Sequence, residues 1–325
     1  MVLDLMRSLG SSTSPLPLHP HRAQSRLKPG EPMHCRGVGE IEEVAIKRRH
    51  WSIHLVLFVL TACTTTVVGA LYANQKTDSW LGFFLSGWVF SVPLMAILLV
   101  HEMGHYLTGR RRRLLVTLPY FIPSIPPLGT FGAFIKIQSP IPDRNVLMEV
   151  GALGPISGAV VAIPLLALGL FASEIQPQTT GGTGFAFGSS IILELLCLLR
   201  FGEFSFNATI LLHPTALAAW FGLFVTAMNL LPIGQLDGGH VIYALFGPRW
   251  ARIIGVVVFG ALIPLGVLFW PGWFIFAILV LFLGLRHPPP LNPYMPLDTR
   301  RRVLGWVAVL LFILTFIPVP VSYME

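Results

Sequence analysis

Of 325 residues, 54% are hydrophobic and 11% charged, less than half the ~25% charged fraction of an ordinary soluble domain. That balance excludes a soluble enzyme and a disordered scaffold and leaves a polytopic membrane protein. The net charge of +7 does not signal nucleic acid, because Lys and Arg sit beside the apolar segments, as membrane topology requires. Cys35, Cys63 and Cys197 are too few and too scattered for a disulfide framework or a CxxC metal site.

Residues 1–46 are rich in Ser, Pro and Arg, carry no sustained apolar run, and read as a disordered N-terminal tail. They lack the positive, apolar, small-residue order of a cleaved signal peptide. Apolar stretches then alternate with short polar joints at 51–73, 81–107, 146–172, 215–231, 253–270, 273–285 and 303–318. The segment 189–199, which contains Glu194, is too short to cross and is expected to lie at the interface or re-enter.

With the N-terminus inside, fifteen Lys and Arg fall in the inner joints, against Lys76 and Arg200 outside. The densest inner clusters are Arg110–Arg113 and Arg300–Arg302. Residues 115–142 are dense in Pro and Gly. Within them 130–138 has the aromatic and β-branched residues of a strand, expected on the inner side. The expected fold class is an all-α polytopic membrane protein with six to seven transmembrane helices and a short membrane-associated β element. Its core covers 47–287, and 288–325 form a proline-rich linker and a C-terminal transmembrane helix.

The second apolar span ends in His101-Glu102-Met103-Gly104-His105. On a helix, positions four apart differ by ~40° in azimuth and ~6 Å in height, so both imidazoles can reach one ion. Neutral imidazole suits zinc, and the intervening Glu can serve as a base toward zinc-activated water. The plain alternative is a pair of interfacial histidines beside a basic cluster. Ionisable groups at the end of an apolar helix argue for function instead.

Two histidines leave a catalytic zinc one protein ligand short. Glu149, Glu194, Asp237, His213 and His240 are the candidates. Asp237 stands in Asn229-Leu230-Leu231-Pro232-Ile233-Gly234-Gln235-Leu236-Asp237-Gly238-Gly239-His240, where Pro232, Gly234, Gly238 and Gly239 are expected to break the helix at the level of His101 and His105. His213 belongs to the opposite face, Glu149 to the start of the third span and Glu194 to an outer element. Spacing alone does not decide between Asp237 and His240.

Together these motifs resemble the site-2 protease family of intramembrane zinc metalloproteases, which pairs H-E-x-x-H with a later N-x-x-P-x-x-x-L-D-G. Here the second motif is met by Asn229, Pro232, Leu236, Asp237 and Gly238, and the family's G-P-x-small-G element by Gly154-Pro155-Ile156-Ser157-Gly158. The likeness runs over 93–245. Within the family, 118–123, 129–137 and 231–246 look like the plastid and cyanobacterial branch and its bacterial relatives; no PDZ or CBS pattern is seen.

The resemblance implies one Zn2+ per chain, held by His101, His105 and Asp237, with Glu102 as general base and Asn229 polarising the substrate or steadying the tetrahedral intermediate. The expected activity is cleavage of transmembrane or membrane-proximal segments in single-span protein substrates within the lipid bilayer. Phe131, Ile135 and Ile137 are expected substrate contacts on the strand, to whose edge an unwound substrate could add; a hairpin that merely plugs the cavity is the rival reading. Different functional classes are a metal-ion or proton-coupled transporter and an inactive homologue acting as a binding protein. The tail's Glu31, Glu40, Glu42 and Glu43 speak against a transit peptide. The expected location is therefore a bacterial inner membrane with the N-terminus cytoplasmic, ahead of a plastid membrane.

Overall fold

The computed structural model describes residues 51–73, 79–177, 184–202 and 208–324. The tail, Cys35, Lys47–Arg49 and Lys76 lie outside the described residues. In chain order come α1 (Trp51–Ala73), α2 (Trp80–Arg111), β1 (Tyr120–Pro123), β2 (Thr130–Phe134) and α3 (Arg144–Phe171). Then follow β3 (Glu174–Pro177), β4 (Gly184–Phe187), α4 (Ile191–Phe201), β5 (Ala208–Leu211) and α5 (Pro214–Asn229). Last are α6 (Asp237–Leu268), α7 (Gly272–Leu283), α8 (Thr299–Thr315) and β6 (Val321–Met324).

The chain is a polytopic helical membrane protein with a few short strands. Among the described residues, α1, α2, α3 and α6 are each long and apolar enough to cross a membrane, whereas α5, α7 and α8, close to their expected lengths, are shorter than the ~20 residues of a straight crossing. Large apolar side chains such as Val56 on α1, Val257 on α6 and Phe282 on α7 point outward. In water such a surface would aggregate; in lipid it is the solvated face. The interior is built on α5, whose Ala216–Leu223 run is buried throughout. It packs against α2 and α3.

Helix ends differ from the expected spans for local reasons. α2 continues to Arg111, since arginine is a good helix former and cations suit a C-terminus. α6 starts at Asp237, far ahead of the expected 253, so Gly238 and Gly239 are helical rather than breakers. They are glycines because a Cβ there would collide with the carbonyl oxygens of Leu230 and Gly234. The break comes later, at Gly247 (φ 83°), a conformation that favours glycine, followed by Pro248. Arg144 caps the end this creates, its Nε and Nη2 donating to the Ala244 carbonyl at 3.1 and 2.6 Å.

β1 and β2 pair antiparallel, Tyr120 opposite Phe134 and Phe121 opposite Ala133. The strand expected over 130–138 stops at Phe134, where its pairing with β1 ends at Tyr120. Beyond it only an isolated bridge joins Val116 and Ile137. Two further pairs, β3 with β5 and β4 with β6, were not anticipated. Each is four residues long, and β6 lies far from β4 in sequence. The segment 189–199 supplies the N-cap Ser190 and most of α4, which packs against α3 and α8.

One end of the bundle collects the basic residues. Glu149 is ion-paired with both Arg112 and Arg301, the latter at 2.7 Å. Asn145 donates to the Pro296 carbonyl (3.1 Å) and accepts from the Asp298 N–H (3.1 Å). These contacts tie the starts of α3 and α8 to the end of α2.

Candidate metal centre

His101 and His105 lie one turn apart on α2, both buried, with ring centroids 5.1 Å apart. The Nδ1–H of His105 donates to the Val150 carbonyl at 2.7 Å; a carbonyl can only accept, which fixes that tautomer and leaves Nε2 with a lone pair. At His101, Nδ1 meets Thr226 Oγ1 at 3.5 Å. The Thr226 hydroxyl already donates to the Gly222 carbonyl (2.9 Å), so its oxygen is the acceptor. His101 Nε2 is therefore also a lone-pair donor, and it is buried with no hydrogen-bond partner. An orphaned nitrogen of this kind calls for a ligand.

The broken segment between α5 and α6 brings in the third group. Asp237 Oδ2 lies 3.4 Å from His101 Nε2 and 3.3 Å from His105 Nε2. A tetrahedral ion with ~2.0–2.1 Å bonds spaces its ligands ~3.3 Å apart. The three donor atoms, all within 4.8 Å of one another, thus fit zinc in both chemistry and spacing. Close helix approach makes this possible. A Cβ on Gly154 would overlap the His105 imidazole, and one on Gly158 would sit 3.0 Å from the Cβ of His101. The Gly151, Gly154 and Gly158 face of α3 is thereby the floor of the site.

A cavity of about 240 Å³ adjoins these donors. Glu102, Asn229, His240 and the segment Ala133–Ile135 with Ile137 line it beside His105 and Asp237. Of the expected strand contacts, Ile135 and Ile137 are therefore at the cavity, whereas Phe131 is 76% exposed and is not part of its wall. His240 shares the cavity, but its Nδ1 is turned to the Leu236 carbonyl (3.1 Å), and the described donor cluster comprises His101, His105 and Asp237 alone. Glu149 is taken up by its two arginines. Glu194 sits exposed in the first turn of α4, and His213 caps α5.

Sequence reading missed Thr226 and the Val150 carbonyl, the two groups that orient the imidazoles. A threonine inside an apolar helix is a weak cue for such a role; a backbone carbonyl offers none.

The family model described as peptidase family M50 matches residues 89–269, more than half of the chain. The chain belongs to peptidase family M50. The matched region contains the whole donor cluster and the Asn229–Gly238 segment. Among curated relatives, "Probable zinc metalloprotease EGY1, chloroplastic" of Arabidopsis thaliana is 34% identical over 233 residues, 70% of this chain and 42% of that protein. "Probable zinc metalloprotease EGY2, chloroplastic" of Oryza sativa subsp. indica is 32% identical over 235 residues, with 70% and 42% covered. The chain thus spans about two-fifths of the length of these M50 relatives. No solved structure matches. The family and the names of these relatives imply zinc, which the His101–His105–Asp237 set fits.

Proposed function

We propose that this M50 chain is a zinc metalloendopeptidase that cleaves transmembrane or membrane-proximal segments of single-span membrane proteins. One observation carries the reading: the His101–His105–Asp237 donor cluster shares a cavity with the Glu102 carboxylate and Asn229, at the end of apolar membrane-length helices.

When bound, zinc supplies Lewis acidity that acidifies water and polarises a carbonyl. Glu102 takes the proton from the attacking water and returns it to the leaving amine. The Ile135 N–H directed at its carboxylate orients it for that transfer. Asn229, at the last position of α5, offers amide N–H groups to the scissile carbonyl oxygen as it gains charge. The segment Ala133–Ile137 borders the same cavity, where an unwound substrate can lie extended, with Ile135 and Ile137 as apolar contacts and Phe131 at the outer flank.

The basic end faces the inner side of the membrane and carries the N-terminus with it. The chloroplastic names of the relatives weigh toward a plastid membrane, against the bacterial inner membrane that the acidic residues of the tail suggest.

The test is cleavage of a single-span substrate in proteoliposomes by the wild type and by Glu102→Gln, with metal content measured on both. Turnover at the wild-type rate by the variant would sink the reading.

A further inference from the structure

A second cavity, of about 480 Å³, opens at the basic end between the broken stretch of α6 and the segment joining α7 to α8. That volume lies in the range of small-ligand sites. Arg144, Arg252, Arg286, His287, Tyr243 and Tyr294 stand in its wall, and no Asp or Glu does. Arg144 is committed to the carbonyls of Ala244 and Leu245. The side chains of Arg252 and Arg286 are exposed and have no hydrogen bond or ion pair among the described residues. Elsewhere at this end Arg112 and Arg301 share Glu149.

His287 packs into the inner wall of the cavity. Its ring stacks on Tyr243 at 4.5 Å and meets His240 edge-on at 4.7 Å. Both of its ring nitrogens are shielded from solvent, yet neither has a hydrogen-bond partner among the described residues. The tendency of cations to gather on one side of a membrane explains arginines at this end. It does not explain two unpaired guanidiniums meeting at one carboxylate-free cavity.

We propose that this cavity binds a phosphate-bearing ligand, either the head group of an anionic phospholipid or a soluble phosphate monoester. Guanidinium forks match phosphate oxygens in pairs. The phenols of Tyr243 and Tyr294 supply further donors. Trp250 and Ile253, exposed on α6 beside Arg252, give an acyl chain an apolar surface to follow. The occupant rests against Gly234 and Gly239, behind the segment that presents Asp237. The site stands apart from the peptidase reading, since binding is measurable without turnover.

Native mass spectrometry of the detergent-purified full chain tests it, with phosphatidylglycerol, phosphatidylcholine and glycerol 3-phosphate as probes. Phosphatidylglycerol should be retained roughly ten-fold more strongly than phosphatidylcholine, the loss expected for one charge-assisted hydrogen bond. Arg252→Gln/Arg286→Gln should abolish that preference, while Arg111→Gln/Arg113→Gln, at the same end of the bundle, should keep it. Competition by glycerol 3-phosphate identifies a soluble phosphate as sufficient; its failure to compete identifies the lipid. Should the double variant not fold, as read from its melting temperature, Arg252→Gln and Tyr294→Phe singly should each weaken retention. Equal retention of the two lipids with no binding of glycerol 3-phosphate overturns the proposal, as does an equal effect of the two arginine pairs.

Discussion

Gly154 on α3 lies directly against the imidazole of His105, so close that a single added methyl group would overlap Nε2, the nitrogen aimed at Asp237. The G-P-x-small-G element is thus steric before it is anything else: it lets α3 pass under the H-E-x-x-H face of α2. Gly154→Ala should displace the ring and lower zinc content sharply. Gly260→Ala, where an added Cβ meets nothing within 4 Å, should retain zinc and, if anything, raise stability by up to ~1 kcal/mol. Metal analysis and melting temperatures of both variants check the pair; full zinc in Gly154→Ala would contradict the packing described.

The donor set and the base should separate cleanly. His101→Ala, His105→Ala and Asp237→Ala each remove a ligand and should lower zinc occupancy. Glu102→Gln should keep zinc while turnover falls roughly 10²–10⁴-fold, the usual scale for a lost general base. His240→Ala should retain zinc, because its Nδ1 is turned to the Leu236 carbonyl. Zinc lost in His240→Ala but stoichiometric in Asp237→Ala would transfer the third ligand to His240.

Much of this site was legible because its chemistry is local in sequence. His101 and His105 are one helical turn apart, and Asp237 announces itself as a carboxylate in a Pro- and Gly-rich stretch between apolar runs. What stayed hidden depends on contacts between distant segments. Thr226 orients His101 from α5, Val150 orients His105 through a backbone atom, and Ile135 reaches Glu102 from the end of β2. The start of α6 was misplaced because glycine pairs normally mark a helix end, whereas Gly238 and Gly239 answer to crowding by the carbonyls of Leu230 and Gly234. The strand pairs β3–β5 and β4–β6 carry too few residues for alternation to register.

Glu149 holds two guanidiniums from opposite ends of the chain, Arg112 after α2 and Arg301 in α8. Glu149→Gln would leave the partly buried Arg112 without an anion and Arg301 with Asp298 alone. Allowing for solvent screening of this half-exposed network, the loss of stability should be about 1–2 kcal/mol, read as a lower melting temperature in detergent. Zinc content should be unchanged, since Glu149 is no part of the donor cluster. A variant as stable as the wild type would show that the network adds nothing beyond its geometry.

Orientation follows from where the cations gather. A reporter inserted after Arg113 should lie on the inner side and one fused after Glu325 on the outer side, given the Lys and Arg distribution. The pairing of β6 with β4, away from the arginine-rich end, accords with that assignment. Both reporters on one side would remove a crossing from the proposed topology.

Ile135 connects the strand segment to the chemistry. Its N–H is directed at the Glu102 carboxylate, and its side chain stands in the wall of the same cavity. Ile135→Pro deletes that N–H and stiffens the segment. Because a ~1 Å misplacement beside the reacting groups can cost ~10²-fold, cleavage should fall on the order of ten-fold or more with zinc retained. Ile135→Ala keeps the N–H and should lose only the apolar contact, so its effect should be smaller for every substrate. Substrates with Gly or Pro near the cut should be favoured in the wild type, because their helices open at lower cost. The measurement is a substrate series differing only at those positions, run against wild type, Ile135→Ala and Ile135→Pro with metal content in parallel. Full activity in Ile135→Pro would separate the segment from Glu102, and equal rates for helical and helix-broken substrates would remove unwinding from the limiting step.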